Sequence, residues 1–154
     1  MHYYFLKEDF DKLENKIEEI KTKMKNIFKE IGNGCQETSE TYHDNFAYES
    51  GQQQSLMWSE HLGKLIAVRN NLQIVTPDED KSIATIGKTV TIVDLIANSK
   101  FKFKIGSYMT FVDDDSEISY KAPIATIVIG AKVGEVKEGT IAGKLKKFEI
   151  IKIE

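Results

Sequence analysis

Residues 10–31 read FDKLENKIEEIKTKMKNIFKEI, and their apolar side chains recur at alternating spacings of three and four residues. The recurring positions are Phe10, Leu13, Ile17, Ile20, Met24, Ile27 and Ile31. A stripe with this period is the a/d seam of a coiled coil. The stretch therefore predicts a long amphipathic helix whose apolar face needs a partner.

A second stripe with the same alternation follows later in the chain and can supply that partner. Its members are Trp58, Leu62, Leu65, Arg69 and Leu72. Antiparallel folding keeps both stripes in one register, with Phe10 opposite Leu72, Ile17 opposite Leu65, Ile20 opposite Leu62 and Met24 opposite Trp58, and with the turn near Thr41. We predict an antiparallel coiled-coil hairpin over residues 1–76, with its tip at residues 36–48.

The tip of this hairpin is predicted to be acidic. No Lys or Arg occurs between Lys29 and Lys64, whereas the same stretch contains Glu30, Glu37, Glu40, Asp44, Glu49 and Glu60. One interpretation is the solvated end of a hairpin. The other is an acidic probe, because carboxylates suit Mg²⁺ and could steady a second ion or a water beside a metal held elsewhere.

Bulk properties exclude several classes of protein. The single Cys35 rules out an internal disulfide and favours a reducing cytoplasm. We expect neither a secretory signal nor a membrane span, since the start has no basic and apolar signal pattern and no apolar run is long enough. The net charge is −6 over residues 1–80 and +3 over residues 81–154. Neither half is basic enough to indicate duplex DNA binding through phosphates alone.

The hydrophobic period changes after residues 76–81, which read TPDEDK and predict a linker over 77–82. Beyond it, Val90 and Ile92 alternate with polar residues, as do Phe101, Phe103 and Ile105 and then Phe148 and Ile150. Residues 124–129 form a short apolar run that fits a strand or a short helix. The predicted fold class is α+β, with a mostly β domain over residues 83–154 that has at most one short helix.

Segments of this second domain resemble a known family. They are GKTVTIV (87–93), EISYKAPIA (117–125), IG (129–130), VGEV (133–136) and KFEIIKI (147–153). In order and spacing they are similar to the C-terminal domain of bacterial transcript-cleavage factors of the GreA/GreB family. The resemblance implies an N-terminal coiled-coil hairpin joined to an FKBP-like C-terminal domain.

The tip resembles the family less closely. The family has Asp-x-x-Glu-Asn, followed three residues later by Tyr, and the matching residues 41–48 here read TYHDNFAY. Asp44 stands where the family has Glu, and Thr41 stands where it has the first Asp, although the adjacent Glu40 could substitute. The resemblance thus implies Asp44 and Glu40 as the assisting acids. Asn45 and Tyr48 match the family's Asn and Tyr, and the resemblance implies that they contact the channel at the tip. Tyr42, His43 and Phe46 carry rings at an exposed tip, where they could contact RNA bases or the channel or else pack on one another to close the turn.

The resemblance also implies a mechanism. The hairpin would enter the secondary channel of RNA polymerase, and its acids would help the polymerase hold Mg²⁺ and hydrolyse the 3′ end of backtracked RNA. The C-terminal domain would dock outside through Ser119, Ala122 and Pro123. The protein would then be no enzyme itself, would hold no metal alone and would act as a cytoplasmic monomer without a membrane partner.

Other functions remain open at this point. Thr41 favours a regulator that occupies the channel without promoting cleavage. An FKBP-like domain could also be a prolyl isomerase or chaperone, but such a pocket needs a deep aromatic lining and the C-terminal domain has no Trp. A purely structural coiled-coil adaptor does not explain the acidic tip, and the two helices could alternatively form a homodimer.

Overall fold

The computed structural model describes residues 2–37 and 46–154, with side chains for residues 2–30 and 49–154. The elements in chain order are β1 (Tyr3–Phe5), α1 (Lys7–Glu37), α2 (Phe46–Asn70), β2 (Leu72–Ile74), β3 (Thr89–Asp94), β4 (Ser99–Gly106), β5 (Glu117–Ser119), α3 (Pro123–Val128), β6 (Val136–Ile141) and β7 (Lys144–Ile153). The mixed fold, with both long helices before the main sheet, agrees with the predicted α+β order.

The described chain divides into two compact units at different points from the predicted ones. One unit is Asp11–Asn71, and the other combines the residues up to Phe10 with Leu72–Glu154. The prediction had placed residues 1–76 in the hairpin. The difference arises because β1 and β2 pair in parallel, Tyr3 opposite Leu72, in a small sheet of two strands.

The helical unit buries the stripe that the sequence indicates. Leu13, Ile17, Ile20, Ile27 and Leu65 are buried, and Met24, Trp58 and Leu62 are half-buried. Glu14 Oε1 lies 3.7 Å from Arg69 Nη1, and Lys23 Nζ lies 4.2 Å from the ring centroid of Trp58. Lys23 follows Glu14 on α1, whereas its partner Trp58 precedes Arg69 on α2, so the two helices run antiparallel. Both pairs lie within one residue of the predicted register.

The main sheet has five strands in the order β5-β4-β3-β7-β6. All pairings are antiparallel except β4 with β5. One face carries the core, which includes Val90, Ile92, Phe103, Ile105, Phe148 and Ile150 together with Ala125 and Val128 of α3. Of the alternating residues noted in the sequence, Val90, Ile92, Phe103, Ile105, Phe148 and Ile150 therefore face the core, whereas Phe101 is exposed.

Two ambiguous segments are resolved by the fold. Residues 124–129 belong mostly to the short helix α3, and Pro123 stands in its first turn, where a missing N–H costs nothing. In β7, Ile150 pairs with Ile92 but Lys152 pairs with Thr91, so an extra residue interrupts the register. This bulge lets Ile150 and Ile153 both lie in the core although they are three positions apart.

Candidate functional site

The predicted tip residues fall mostly outside the described part of the chain. Glu40, Tyr42, His43, Asp44 and Asn45 lie outside it, so their roles stay predictions. Phe46 and Tyr48 lie in the first turn of α2. Among the described residues, no cluster of three His, Cys, Asp or Glu side chains could hold a metal ion.

The three predicted docking residues lie together on one short connection of the sheet domain. Ser119 ends β5, Ala122 precedes α3 in an extended conformation, and Pro123 begins that helix. Pro123 is exposed and the other two are half-buried. A surface connection of this kind can vary without disturbing the core. Because it contains the three predicted docking residues, we call residues 119–123 the docking segment.

Hydrogen bonds from Ser119 hold the docking segment in a tight turn. Its Oγ donates to the Tyr108 carbonyl at 2.9 Å and accepts the Lys121 N–H at 3.2 Å. Its carbonyl accepts the Ala122 N–H at 2.9 Å. Ser119 therefore orders the segment from within, in addition to any contact with a partner.

The N-terminal strand β1 lies beside the docking segment, and no pattern in the sequence predicts this contact. The ring centroids of Tyr4 and Tyr120 are 5.8 Å apart, and those of Tyr3 and Tyr108 are 4.3 Å apart. The available signal was the composition of Tyr3–Phe5, since aromatic residues favour strands. Three residues are too few to show a period, so the pattern gave no partner for the strand.

An open cleft of about 310 Å³ adjoins β1. Its lining consists of Tyr4, Val75, Thr76, Pro77, Asp78, Thr85, Ile86 and Ile129. Tyr4 is the only aromatic residue of this lining, so the cleft lacks the aromatic walls that the isomerase alternative requires. Its one carboxylate, on Asp78, forms an ion pair with Lys88 Nζ at 2.7 Å. The cleft can accept a small apolar group but offers no set of catalytic side chains.

A buried lysine orders the predicted linker. Lys88 is 3 % exposed, and its ammonium donates to the carbonyls of Ile83, at 3.1 Å, and Asp80 while pairing with Asp78. The side-chain and backbone hydrogen bonds from Ser82 lower the pKa of Asp80. Residues 77–82 are thus exposed, as a linker is, yet they are tied to β3 through one charged side chain.

These features describe a sheet domain with an ordered surface connection and a long helical hairpin inserted between β1 and β2. A family model described as "Transcription elongation factor, GreA/GreB, C-term" matches residues 77–154. That stretch contains the whole five-stranded sheet, α3 and the docking segment. The chain belongs to the GreA/GreB family of transcription elongation factors.

Individual proteins are similar along the whole chain. Transcription elongation factor GreA of Thermotoga neapolitana is 23 % identical over 149 residues, which cover 96 % of this chain and 94 % of that protein. GreA of Macrococcus caseolyticus is 27 % identical over 156 residues, covering 98 % and 96 %. Among solved structures, the GreA factor homolog Gfh1 of Thermus thermophilus has 17 % identity and a TM-score of 0.45, covering 100 % of this chain and 99 % of that one.

In the described residues, no helix is both long enough and apolar enough to cross a membrane.

Proposed function

We propose that this protein binds RNA polymerase, inserts its helical hairpin into the secondary channel and promotes Mg²⁺-dependent cleavage of backtracked RNA by the polymerase. The observation that carries the proposal is the family match over residues 77–154. The nearly full-length similarity to transcription elongation factors named GreA supports it. In this proposal the hairpin is a coiled coil and the sheet domain is FKBP-like.

The dimensions of the helices support delivery of a tip to a distant site. Helix α1 has 31 residues, which corresponds to about 46 Å of helix. The stretch between Lys29 and Lys64 carries six acids and no Lys or Arg. A long helix that leads into a stretch with six acids and no Lys or Arg is suited to bring negative charge to a metal that another protein holds.

The chemistry assigned to the tip is assistance to a two-metal hydrolysis. The polymerase supplies the first Mg²⁺, and Asp44 with Glu40 would help retain the second ion and a water. Added carboxylates reduce the electrostatic cost of keeping two cations close together. Tyr42, His43, Asn45, Phe46 and Tyr48 would contact the RNA end or the channel wall, where an aromatic–base stack contributes about 1–3 kcal/mol.

Docking would use the sheet domain, through Ser119, Ala122 and Pro123. The ordered turn around Ser119 supports this assignment, because a preordered segment loses little conformational entropy when a partner binds. The protein would act as a cytoplasmic monomer, and Mg²⁺ would be shared with the polymerase active site. The RNA hydrolysis would be the activity of the polymerase.

A second candidate function rests on Thr41. Because the family's first tip Asp is replaced by Thr41 in this chain, the tip could lack the second carboxylate that metal retention needs. The protein would then dock in the same way, occupy the channel and regulate transcription without promoting cleavage.

Cleavage of RNA in a backtracked elongation complex, with purified polymerase and Mg²⁺, tests both candidates. We expect the wild-type protein to accelerate cleavage and Asp44→Ala to lose about 10²-fold or more of that acceleration. Glu60→Ala, which removes an exposed acid farther along α2, is the matched control and should keep full activity. Displacement of another secondary-channel ligand without any acceleration would favour the regulator. If the protein neither accelerates cleavage nor displaces the other ligand, that result would contradict both candidate functions.

A further inference from the structure

The docking segment and the N-terminal strand are joined by a closed circuit of hydrogen bonds. The Tyr108 N–H donates to the Tyr4 carbonyl at 3.0 Å. The Tyr108 carbonyl accepts from Ser119 Oγ at 2.9 Å. Tyr120 follows Ser119 in the chain, and its hydroxyl accepts the Tyr4 N–H at 3.2 Å. This hydrogen bond closes the circuit on β1. The N-terminal strand is therefore fixed to two segments that lie more than 100 residues later in the chain.

This circuit uses the edge of β1 that β2 leaves open. Strand β1 pairs with β2 along one edge, where the Phe5 carbonyl accepts the Val75 N–H at 2.8 Å. The Tyr4 backbone groups point to the opposite edge, as the alternation of a strand requires. A three-residue strand in a two-stranded sheet is marginal by itself, so the partners on the second edge contribute to holding β1 in place.

A buried polar contact anchors the same strand one step further along. Ser107 is fully buried. Its Oγ accepts the Leu6 N–H at 2.8 Å and donates to Asp9 Oδ2 at 2.5 Å. Because Ser107 directly precedes Tyr108, two neighbouring residues of the sheet unit hold β1 through separate hydrogen bonds, one at Leu6 and one at Tyr4. The aromatic contacts of Tyr4 with Tyr120 and of Tyr3 with Tyr108 join the same segments in addition to these hydrogen bonds.

We propose that Tyr120 is a positioning residue that braces the docking segment against Tyr4 of the N-terminal strand, so that the affinity for RNA polymerase depends on β1. The predicted effect on RNA polymerase affinity rests on the proposed function. Tyr4 acts through Tyr120 and Tyr108, and the docking segment makes the contact with the polymerase. The brace removes conformational freedom from residues 119–122 before the partner arrives.

A double-mutant cycle on polymerase affinity separates bracing from direct contact. The variants are Tyr4→Ala, Tyr120→Ala and both together, with Phe101→Ala as the control because Phe101 is a 42 % exposed aromatic residue outside the circuit. We expect Tyr4→Ala to weaken binding about five- to tenfold in the wild-type background and to have little further effect in the Tyr120→Ala background. Tyr4→Ala removes the ring contact with Tyr120 but keeps the Tyr4 N–H and carbonyl, so Tyr120→Phe is needed to remove the hydroxyl that accepts the N–H. Full additivity would mean that Tyr4 contacts the polymerase itself, and unchanged affinity in both Tyr4→Ala and Tyr120→Phe would remove the brace. Either result overturns the proposal.

The conservative variant Tyr120→Phe keeps the ring and removes only the hydroxyl acceptor. We expect it to recover part of the affinity that Tyr120→Ala loses, with a melting temperature close to that of the wild type. Loss of affinity that only follows loss of stability across the variants would indicate a merely structural residue and would contradict the positioning role.

Amide hydrogen exchange tests the brace without the polymerase. Tyr4→Ala should speed exchange of the Lys121 and Ala122 amides, whose N–H groups donate within the turn. Phe101→Ala should leave them unchanged. Unchanged exchange in Tyr4→Ala would overturn the inference even if the polymerase binds. Failure of the wild type to bind polymerase, together with the expected change in exchange, would contradict the proposed function and leave the brace standing.

Discussion

At the residue scale, Asp94 closes the hairpin between β3 and β4. It continues the alternation of Val90 and Ile92 and, like them, faces inward, where it is 1 % exposed. Its Oδ1 accepts the N–H groups of Ala97, at 3.1 Å, and Ile96, at 2.9 Å, and Lys146 Nζ lies 3.2 Å from its Oδ2. Its place in the alternation of β3 accounts for the inward face, but its three partners come from the turn and from another strand.

These partners make the contribution of Asp94 to stability dependent on pH. The hydrogen bond from the Ala97 N–H, with those from Ile96 and Lys146, lowers the pKa of Asp94 below its ordinary value of 3.8, against the opposing effect of burial. A lowered carboxyl pKa stabilises the fold above the unfolded-state value, and this stability is lost as the pH falls through the folded-state value. We expect Asp94→Asn to be less stable than the wild type from about pH 5 to 7, with the difference shrinking below pH 3.8.

Urea unfolding of both proteins across this pH range measures the effect. Asp113→Asn, a change at an exposed acid of the same unit, is the control and should follow the wild type. A wild-type advantage that stays constant down to pH 2 would show that ionisation of Asp94 is not its origin.

At the element scale, α3 lies against β6 at a glycine. A Cβ added at Gly139 would meet Ile127 Cδ1 and Cγ1 at 2.7 Å, closer than side-chain packing permits. Pairing of Gly139 with Lys146 places this contact inside the β6–β7 ladder, where the backbone cannot easily shift. The close approach of helix and strand therefore depends on the missing side chain.

We expect Gly139→Ala to destabilise the sheet unit by about 1–3 kcal/mol, because α3 or Ile127 must move. In the Ile127→Ala background, Gly139→Ala should cost less, because the shortened side chain leaves room for the added Cβ. Gly63→Ala is the opposite control, since nothing lies within 4 Å of an added Cβ there. In the interior of α2 it should stabilise the helix by about 1 kcal/mol. Denaturant unfolding curves compare the three, and a neutral Gly139→Ala would show that the contact is not tight.

At the scale of the whole molecule, the sheet unit is discontinuous in sequence. The residues up to Phe10 join Leu72–Glu154, and the buried Phe5 and Leu6 belong to this unit. The stretch that matches the family model, residues 77–154, therefore lacks β1, β2 and the Asp9–Ser107 hydrogen bond.

A fragment of residues 77–154 should consequently be less stable than the same unit in the full chain, by about 3 kcal/mol or more from the apolar burial of Phe5 and Leu6 alone. Joining residues 1–10 to 72–154 through a Gly/Ser linker of about 12 residues, in place of the hairpin, should restore most of the loss. Urea midpoints of both fragments give the comparison. Equal stability of the two fragments would mean that β1 adds nothing to the unit.

Elements with a repeated hydrophobic period are predictable from the amino-acid sequence alone. The heptad stripe predicts α1 and its antiparallel partner, and the alternation of apolar residues predicts the core-facing residues of β3, β4 and β7, with the exposed Phe101 as the exception. A repeated apolar spacing encodes a buried face because each member must leave water on the same side. The co-linear segments of residues 87–153 were likewise enough to indicate the family.

Which distant segments meet becomes visible only in the folded chain. Nothing in the spacing of residues 3–5 shows that β1 pairs with β2 or that Tyr4 reaches Tyr120. The sequence likewise gives no signal for three other features. These are the bulge in β7, the contacts of Lys88 with residues 78–83, and the buried hydrogen bond between Asp9 and Ser107. Each depends on contacts between single residues, and most of these residues are far apart in the chain. Such contacts have no period, and they become favourable only after the folded core has brought their partners together and excluded water.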